Sequence, residues 1–522
     1  MEKITYKCVN YNILLTIIYL LSQGLLLIIS GKWWDDWCHV GLSIDEFYSW
    51  IMQMGRPDLG WVYYLYNFTP EYTYRIITFI LFYISVFCFS YIVKKTVNID
   101  GKNRFFICAL YASFPVNDAR VVFSTFPYTV GYFFFMIAFT HFVYMLSNKK
   151  RNVWQRAINI VTFFLSFTLN SNLVYYVIVI FVIWRYKKHD IRKYVDYLII
   201  PFLFFGLKAA LYPTYGAYEG YNSITISSIV KAVVYIIPAD IYVIKSVFVN
   251  YLDISKNLFI FIGVSVLIAF AWKEKQFSSR EKDDEDYITR RALSCGIFAL
   301  SIGLFAYVVA RKSMFIDIAG VGGRDAILVA PGGTLIVYSL IRLMWPKKII
   351  PYVVAFFVLC GMVSFNERYL EYEMEYYKQV GFSCQLKANE DIRYKKDIVY
   401  ISDNKTNLGV DDSFYSLNSI AKLAYGDEKR FIRDISKQKK LKAQEIYSFV
   451  SNPIYHMSDY DVSNTNIDAV LFYSFDTSFK DIALLRYYEV ADYGKFLAKI
   501  NKVSSVLVVD DKDSINVFMN HE

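Results

Sequence analysis

The sequence is poor in the usual signatures of chemistry. Seven cysteines are scattered over 522 residues without one Cys-x-x-Cys pair, so neither a zinc site nor a redox motif is indicated. There is no HExxH, no P-loop and no GxSxG, which leaves the common metallopeptidase, nucleotide-binding and hydrolase readings without support. Neither an internal repeat nor a low-complexity linker is visible. Charge is scarce across long stretches, and that scarcity is the most informative absence.

Those stretches are apolar. The chain is 56% apolar and 19% aromatic, against roughly 45–50% apolar in an ordinary soluble domain. The excess lies in blocks between Tyr11 and Phe365, whereas the stretch after Asn366 has a soluble composition. The net charge of +9 invites a nucleic-acid partner. The distribution argues against one: basic residues sit in short clusters between apolar blocks, which is the pattern of membrane topology. The expected partner is a lipid bilayer.

A helix needs about 20 mostly apolar residues to cross the hydrocarbon core. Candidate spans lie at 11–31, 75–93, 105–119, 127–147, 153–170, 172–184, 194–212, 256–272, 292–310, 325–345 and 349–365. With about eleven spans, Lys3 and Lys7, Lys94 and Lys95, Lys149 to Arg151, Arg185 to Lys193, Lys273 to Arg291, and Lys347 and Lys348 all fall on one side. The positive-inside rule makes that side cytoplasmic, with Arg311 and Lys312 the exception. The C-terminal part then faces out. Segment 226–250, interrupted by Lys231, Pro238, Asp240 and Lys245, reads as an amphipathic or re-entrant element at the outer interface, or as a pair of half-spans. The expectation is an α-helical polytopic membrane domain over 1–365 and a soluble extracytoplasmic α/β domain over 366–522. In the tail, strands are expected at 397–402, 468–474 and 504–510, and helices near 413–424, 427–438 and 480–499. Segment 366–380 reads as a helix leaving the membrane. Cys38 and Cys384 are the two cysteines placed outside, and a disulfide between them is left open.

The first outer loop holds the most chemistry: Trp33-Trp34-Asp35-Asp36-Trp37, His39, Asp45-Glu46 and Gly55-Arg56-Pro57-Asp58. Carboxylates near the hydrocarbon boundary are costly, so they tend to be functional or paired. The plainer alternative is a solvated loop with its tryptophans in the interfacial aromatic belt. Cations gather on the same side: Arg56, Arg75, Arg120 beside Asp118, Lys208, and Arg324 at the end of Gly320-Val321-Gly322-Gly323. Each has its own plain alternative: Arg75 snorkelling, Lys208 paired with an acid, the glycine run a flexible loop. Taken together the set suits transfer of a sugar from a lipid-linked phosphate. One carboxylate takes the acceptor proton, and cations, above all arginine, hold the departing phosphate.

This arrangement resembles the GT-C superfamily of membrane glycosyltransferases. Within it, the similarity is to the bacterial serotype-converting glucosyltransferases that decorate O-antigen. Their Asp-Asp followed about 20 residues later by Gly-Arg is met by Asp35-Asp36 and Gly55-Arg56, and Arg324 precedes a late span as theirs does. The resemblance covers at most residues 1–365, and its specific part is 33–57. It implies a bacterial plasma-membrane enzyme that moves a sugar from an undecaprenyl (polyprenyl) phosphate donor to a surface glycan or wall polymer, with inversion. Asp35 or Asp36 would be the base, and Arg324, Arg56, Lys208, Arg75 and Arg120 the donor-phosphate set. Trp33, Trp34, Trp37, His39 and Asp58 would contact sugar or acceptor. A divalent cation, Mg or Mn, held by Asp35 and Asp36 is left open. The outer tail departs from the compact members and leaves the acceptor open.

Two rivals remain. A transporter, flippase or polymerase of envelope polysaccharide would need charges near the midplane of several spans. A non-enzymatic assembly protein would use the tail to bind a partner.

Overall fold

The apolar blocks have no way to satisfy their backbone polar groups in lipid except as helices, and helices are what they form. The computed structural model describes residues 10–99, 101–147, 152–187, 192–220, 224–251, 283–310, 315–402, 414–434, 450, 452–461, 467–511 and 515. Seven helical stretches among the described residues are long and apolar enough to cross a membrane: Thr73–Thr96, Phe123–Ser147, Arg192–Leu211, Ile226–Tyr251, Tyr287–Val309, Val321–Met344 and Ile350–Ala388.

The remaining expected spans are shorter. The first apolar helix runs over Tyr11–Leu27, and the one expected at 172–184 over Asn172–Tyr186. Block 105–119 gives the 12-residue helix Gly101–Ala112, which stops before Pro115 because proline restricts the residue ahead of it and cannot donate to the helix. Block 153–170 gives the 14-residue helix Val153–Ser166. The span expected at 256–272 lies outside the described residues. Segment 226–250 is one continuous helix of 26 residues, Ile226–Tyr251, with Pro238 inside it, which corrects the re-entrant and half-span alternatives. Its Asp240 accepts a 2.5 Å hydrogen bond from Ser301 on the neighbouring helix Asp283–Val309. Helices approach closely where a side chain is missing. A Cβ on Gly361 would lie 1.9 Å from the Ser113 carbonyl oxygen, so only glycine fits that crossing.

Helix α1 (Ile350–Ala388) runs for 39 residues and leaves the bundle without a break, so the expected boundary at 365/366 falls inside one continuous helix. It carries a four-stranded sheet: β1 (Asp397–Ser402), β2 (Phe431–Asp434), β3 (Ala469–Phe475) and β4 (Ser504–Val509), in the order β2-β1-β3-β4. β1 is parallel to β2 and β3, and β4 is antiparallel to β3. Ile398, Val399 and Tyr400 are all buried because both faces of the sheet are covered. One face packs Ile398, Tyr400, Leu471 and Tyr473 onto Phe382 of α1 and Ile420 of α2 (Phe414–Tyr425). The helix expected at 427–438 is corrected over 431–434, which is β2; 435–438 lie outside the described residues. The apolar part of β2 is only Phe431-Ile432, and pairing makes it a strand, with Phe431 N–H bonded to Lys396 O at 2.8 Å and Ile432 N–H to Asn418 Oδ1 at 2.8 Å. The helix expected at 480–499 is two, α3 (Phe479–Ala491) and α4 (Tyr493–Val503); Asp492 ends the first and caps the second through Lys495 N–H at 3.1 Å.

The tail sits on the first loop. Ser419 of α2 donates to Trp37 O at 3.1 Å, and His456 Nε2 lies 3.0 Å from the same oxygen. Trp37 and Val40 join the tail's own core. Cys38 and Cys384 are both free thiols, so the disulfide is not formed.

Candidate functional site

The first loop folds around Asp36. Trp33 to His39 form a capped 3-10 turn, entered through Trp34 at φ 52°, a conformation rare outside glycine. Asp36 Oδ1 accepts from Ser124 N–H at 2.8 Å, and Oδ2 from Phe123 N–H at 3.1 Å and Trp33 N–H at 3.3 Å. Its carboxyl is 1% exposed. Burial pushes it up to about 7, with the three backbone N–H groups pulling the other way. Both oxygens are consumed in tying the loop to the turn at 123–125. Asp36 is therefore a clamp, and the sequence motif's second acid is structural.

Asp35 points elsewhere. It is partly buried, and its Oδ1 accepts from the hydroxyl of Tyr415 at 2.9 Å. Burial pushes its carboxyl up to about 6, while Arg324 and the Tyr415 hydroxyl hold it down. Arg324 stacks on Trp34, 4.0 Å from the ring centroid. It stands on a 3-10 turn that begins after Gly320, whose φ of 66° favours glycine. That turn is pinned by Asp118, which accepts from Gly320 N–H at 2.9 Å, and by Asn117 N–H to Ile318 O at 3.0 Å. Burial pushes the Asp118 carboxyl up to about 6, against the pull of Arg368. Tyr218 and Tyr455 also lie within electrostatic reach of Asp35.

A second polar group adjoins the first. Arg56 forks onto Asp58, with Nε–Oδ1 at 2.9 Å and Nη2–Oδ2 at 2.8 Å, and also donates to Thr168 O at 2.6 Å. Lys208 donates to Asn170 Oδ1 at 2.9 Å and feels the charges of Arg56 and Asp58. The short connection 168–171 links the two groups, since Ser171 Oγ donates to Tyr307 OH at 3.2 Å and Tyr307 lies in the field of Asp325 and Arg324. Gly55 sets the Arg56 turn at φ +63°, and a Cβ there would meet the Tyr212 carbonyl oxygen at 2.5 Å.

Other residues of the expected site are structural. Arg75 is 2% exposed and donates to Ile29 O at 2.5 Å, Gly31 O at 2.6 Å and Tyr74 OH at 3.0 Å, with Trp33 over its guanidinium. Arg120 is buried between Phe82 and Phe365 and donates to Asn117 O at 2.7 Å and Val116 O at 2.9 Å. Neither presents a free fork to a phosphate. Trp33 is fully buried, its Nε1 donating to Tyr372 O at 2.8 Å. Trp37 is buried beneath the tail. His39 is enclosed by Phe47, Trp50, Tyr66 and Phe123, and burial lowers it to about 3, so it stays neutral. Glu46 closes a capping box with Ser43. Trp34 alone of the three tryptophans is both partly exposed and stacked beside Asp35's cation.

Three backbone N–H groups share the two Asp36 oxygens and compete with any cation bridging Asp35 and Asp36. Among the described residues no group of three or more His, Cys, Asp or Glu side chains is placed to hold a metal. Sequence reasoning missed Tyr415, for which no local motif exists; a tyrosine at the second position of a tail helix carries no signal of what it meets. The chain matches no protein-family model, and a comparison with curated proteins finds no match either.

Proposed function

We propose that this chain is a membrane glycosyltransferase of GT-C type, which moves a sugar from a polyprenyl phosphate to a glycan or wall-polymer hydroxyl. It would work at the outer face of a bacterial plasma membrane, with the N-terminus inside and the tail outside. The sequence count of eleven crossings gives that orientation from the basic clusters; it leaves Ile226–Tyr251 uncounted as a crossing. One observation carries the reading. Of the adjacent acids, Asp35 alone keeps its carboxylate clear of the backbone, and it does so beside a stacked arginine and beneath a tyrosine of the tail.

The chemistry follows from that geometry. Asp35 takes the proton of the acceptor hydroxyl as its oxygen bonds to the anomeric carbon. The bond from that carbon to the phosphate oxygen breaks with inversion, and the electron pair leaves with the lipid phosphate. Arg324, oriented by Trp34, faces the growing phosphate charge. Lys208 and Arg56 extend positive charge along the same face, Arg56 already sharing its fork with Asp58. No step needs a metal between the aspartates.

Among the described residues the transporter reading draws support from the Asp240–Ser301 pair inside adjacent helices, with Lys231 and Lys245 on the same helix as Asp240. Charges on one helix and one acid–hydroxyl pair do not make a polar path across the bilayer, so the transferase reading is preferred. Surface-glycan mass spectrometry tests it in cells with the wild-type chain, a deletion and Asp35→Asn at matched protein level. Loss of the same sugar in the deletion and in Asp35→Asn supports transfer. A normal glycan in Asp35→Asn beside an altered one in the deletion refutes it.

A further inference from the structure

Helix α3 is apolar on two opposite faces. Ile482 and Leu485 are buried in the tail core, while Leu484, Tyr487 and Val490 are 39%, 64% and 76% exposed, followed by Tyr493 at 56%. Successive residues of a helix turn by about 100°, which gathers 484, 487 and 490 into one stripe pointing away from Ile482 and Leu485. A helix facing only water on its outer side has no need of such a stripe.

The height of α3 above the bundle is fixed by its polar contacts. Arg486 donates to Ser30 Oγ and lies 3.7 Å from Glu373, whose other oxygen accepts from Ser30 N–H at 2.8 Å. Glu489 accepts from Tyr377 OH at 3.1 Å. Two rulers place this layer. Ser30 lies just past Leu27, where the first apolar helix ends. Glu373 lies roughly 35 Å along α1 from Ile350 at 1.5 Å per residue, with Lys347 and Lys348 marking the far end. A hydrocarbon core of about 30 Å, or 40–45 Å with headgroups, puts Glu373 and Arg486 in the headgroup layer.

We propose that α3 is a membrane-surface helix: Leu484, Tyr487 and Val490 lie against the boundary between headgroups and acyl chains of the leaflet on the tail side. The tail is then docked on lipid as well as on the bundle. Tyrosine suits this layer because its ring is apolar and its hydroxyl meets headgroups. The inference rests on the membrane reading alone and is independent of the proposed transfer chemistry.

The test uses the full chain in nanodiscs containing phosphatidylcholine brominated at shallow or deep positions. A bimane label is placed at Tyr487→Cys or, separately, Val490→Cys, and the signal of the identically treated parent chain is subtracted. Phe202→Cys, 75% exposed on a membrane-length helix, is the lipid-facing control; Leu507→Cys, 63% exposed on β4, is the water-facing control. The expected result is quenching at 487 and 490 approaching that at 202, strongest with the shallow bromines, and none at 507. Labels at 487 and 490 that ignore both lipids would overturn the proposal. Quenching by aqueous iodide would then mean a solvated face, and its absence a protein cover such as a second copy.

Discussion

Replacing Tyr415 with phenylalanine removes one hydroxyl from the edge of the proposed base and leaves the ring in place. The hydroxyl donates to Asp35 at 2.9 Å, and a donor to a carboxylate favours the ionised form. Asp35 already sits at about 6, raised by burial and held down by Arg324 and Tyr415. Losing Tyr415's bond therefore raises it further. A hydrogen bond to a charged group contributes about 1.5–3 kcal/mol net, and water reaching a partly exposed carboxylate replaces about half of that. At 1.36 kcal/mol per pKa unit the acid limb moves up by about 0.5–1 unit. The base works ionised, so the wild-type rate falls about tenfold per unit below that limb, and the variant loses activity at pH 6 while approaching its plateau near pH 8. Arg324, Tyr218 and Tyr455 face Asp35 in both chains and remain unchanged. The assay is the initial rate of sugar transfer between pH 5 and 8, with the donor identified from the missing glycan component. Ser419→Ala is the control: it breaks another tail-to-loop bond, Ser419 Oγ to Trp37 O, without touching Asp35. It should leave the limb where it was. An unmoved limb in Tyr415→Phe, or an equal movement in Ser419→Ala, refutes the role given to Tyr415.

Further outcomes follow from the same contacts. Asp36→Asn turns one carboxylate oxygen into a donor facing backbone N–H groups of Trp33, Phe123 or Ser124, a loss of roughly 2–3 kcal/mol; the melting temperature in detergent should drop, whereas Asp35→Asn leaves it unchanged. Arg324→Lys keeps the charge but loses the planar stack on Trp34 and the fork, so KM for the donor should rise about tenfold with a smaller effect on kcat; an unchanged KM would remove Arg324 from the donor site. Gly361→Ala forces a methyl against the Ser113 carbonyl; the helices must separate at a cost of about 1–3 kcal/mol or more, read as loss of monodisperse protein on size exclusion.

The class of this protein was legible in the sequence because hydropathy depends on composition alone: a 20-residue apolar run is a helix in lipid whatever it packs against. Three of the four strands among the described residues of the tail were legible for a related reason, since 397–402, 469–475 and 504–509 carry their own apolar runs. β2 was not, because two apolar residues become a strand only when β1 offers its edge. The acidic pair after the first span was visible, but its division of labour was not. Asp35 and Asp36 are chemically identical, and only the turn at 123–125, some 88 residues away, takes up one of them. The same holds for Arg75, whose guanidinium is taken up by the carbonyls of Ile29 and Gly31, more than 40 residues away; Arg120 is taken up nearer home, by Asn117 and Val116 of its own turn. Tyr415 lies 380 residues from Asp35 and reaches it only because α1 carries the tail back over the first loop as one unbroken helix. Local pattern decided which elements form; long-range packing decided which of two identical acids the backbone takes up and which meets Tyr415.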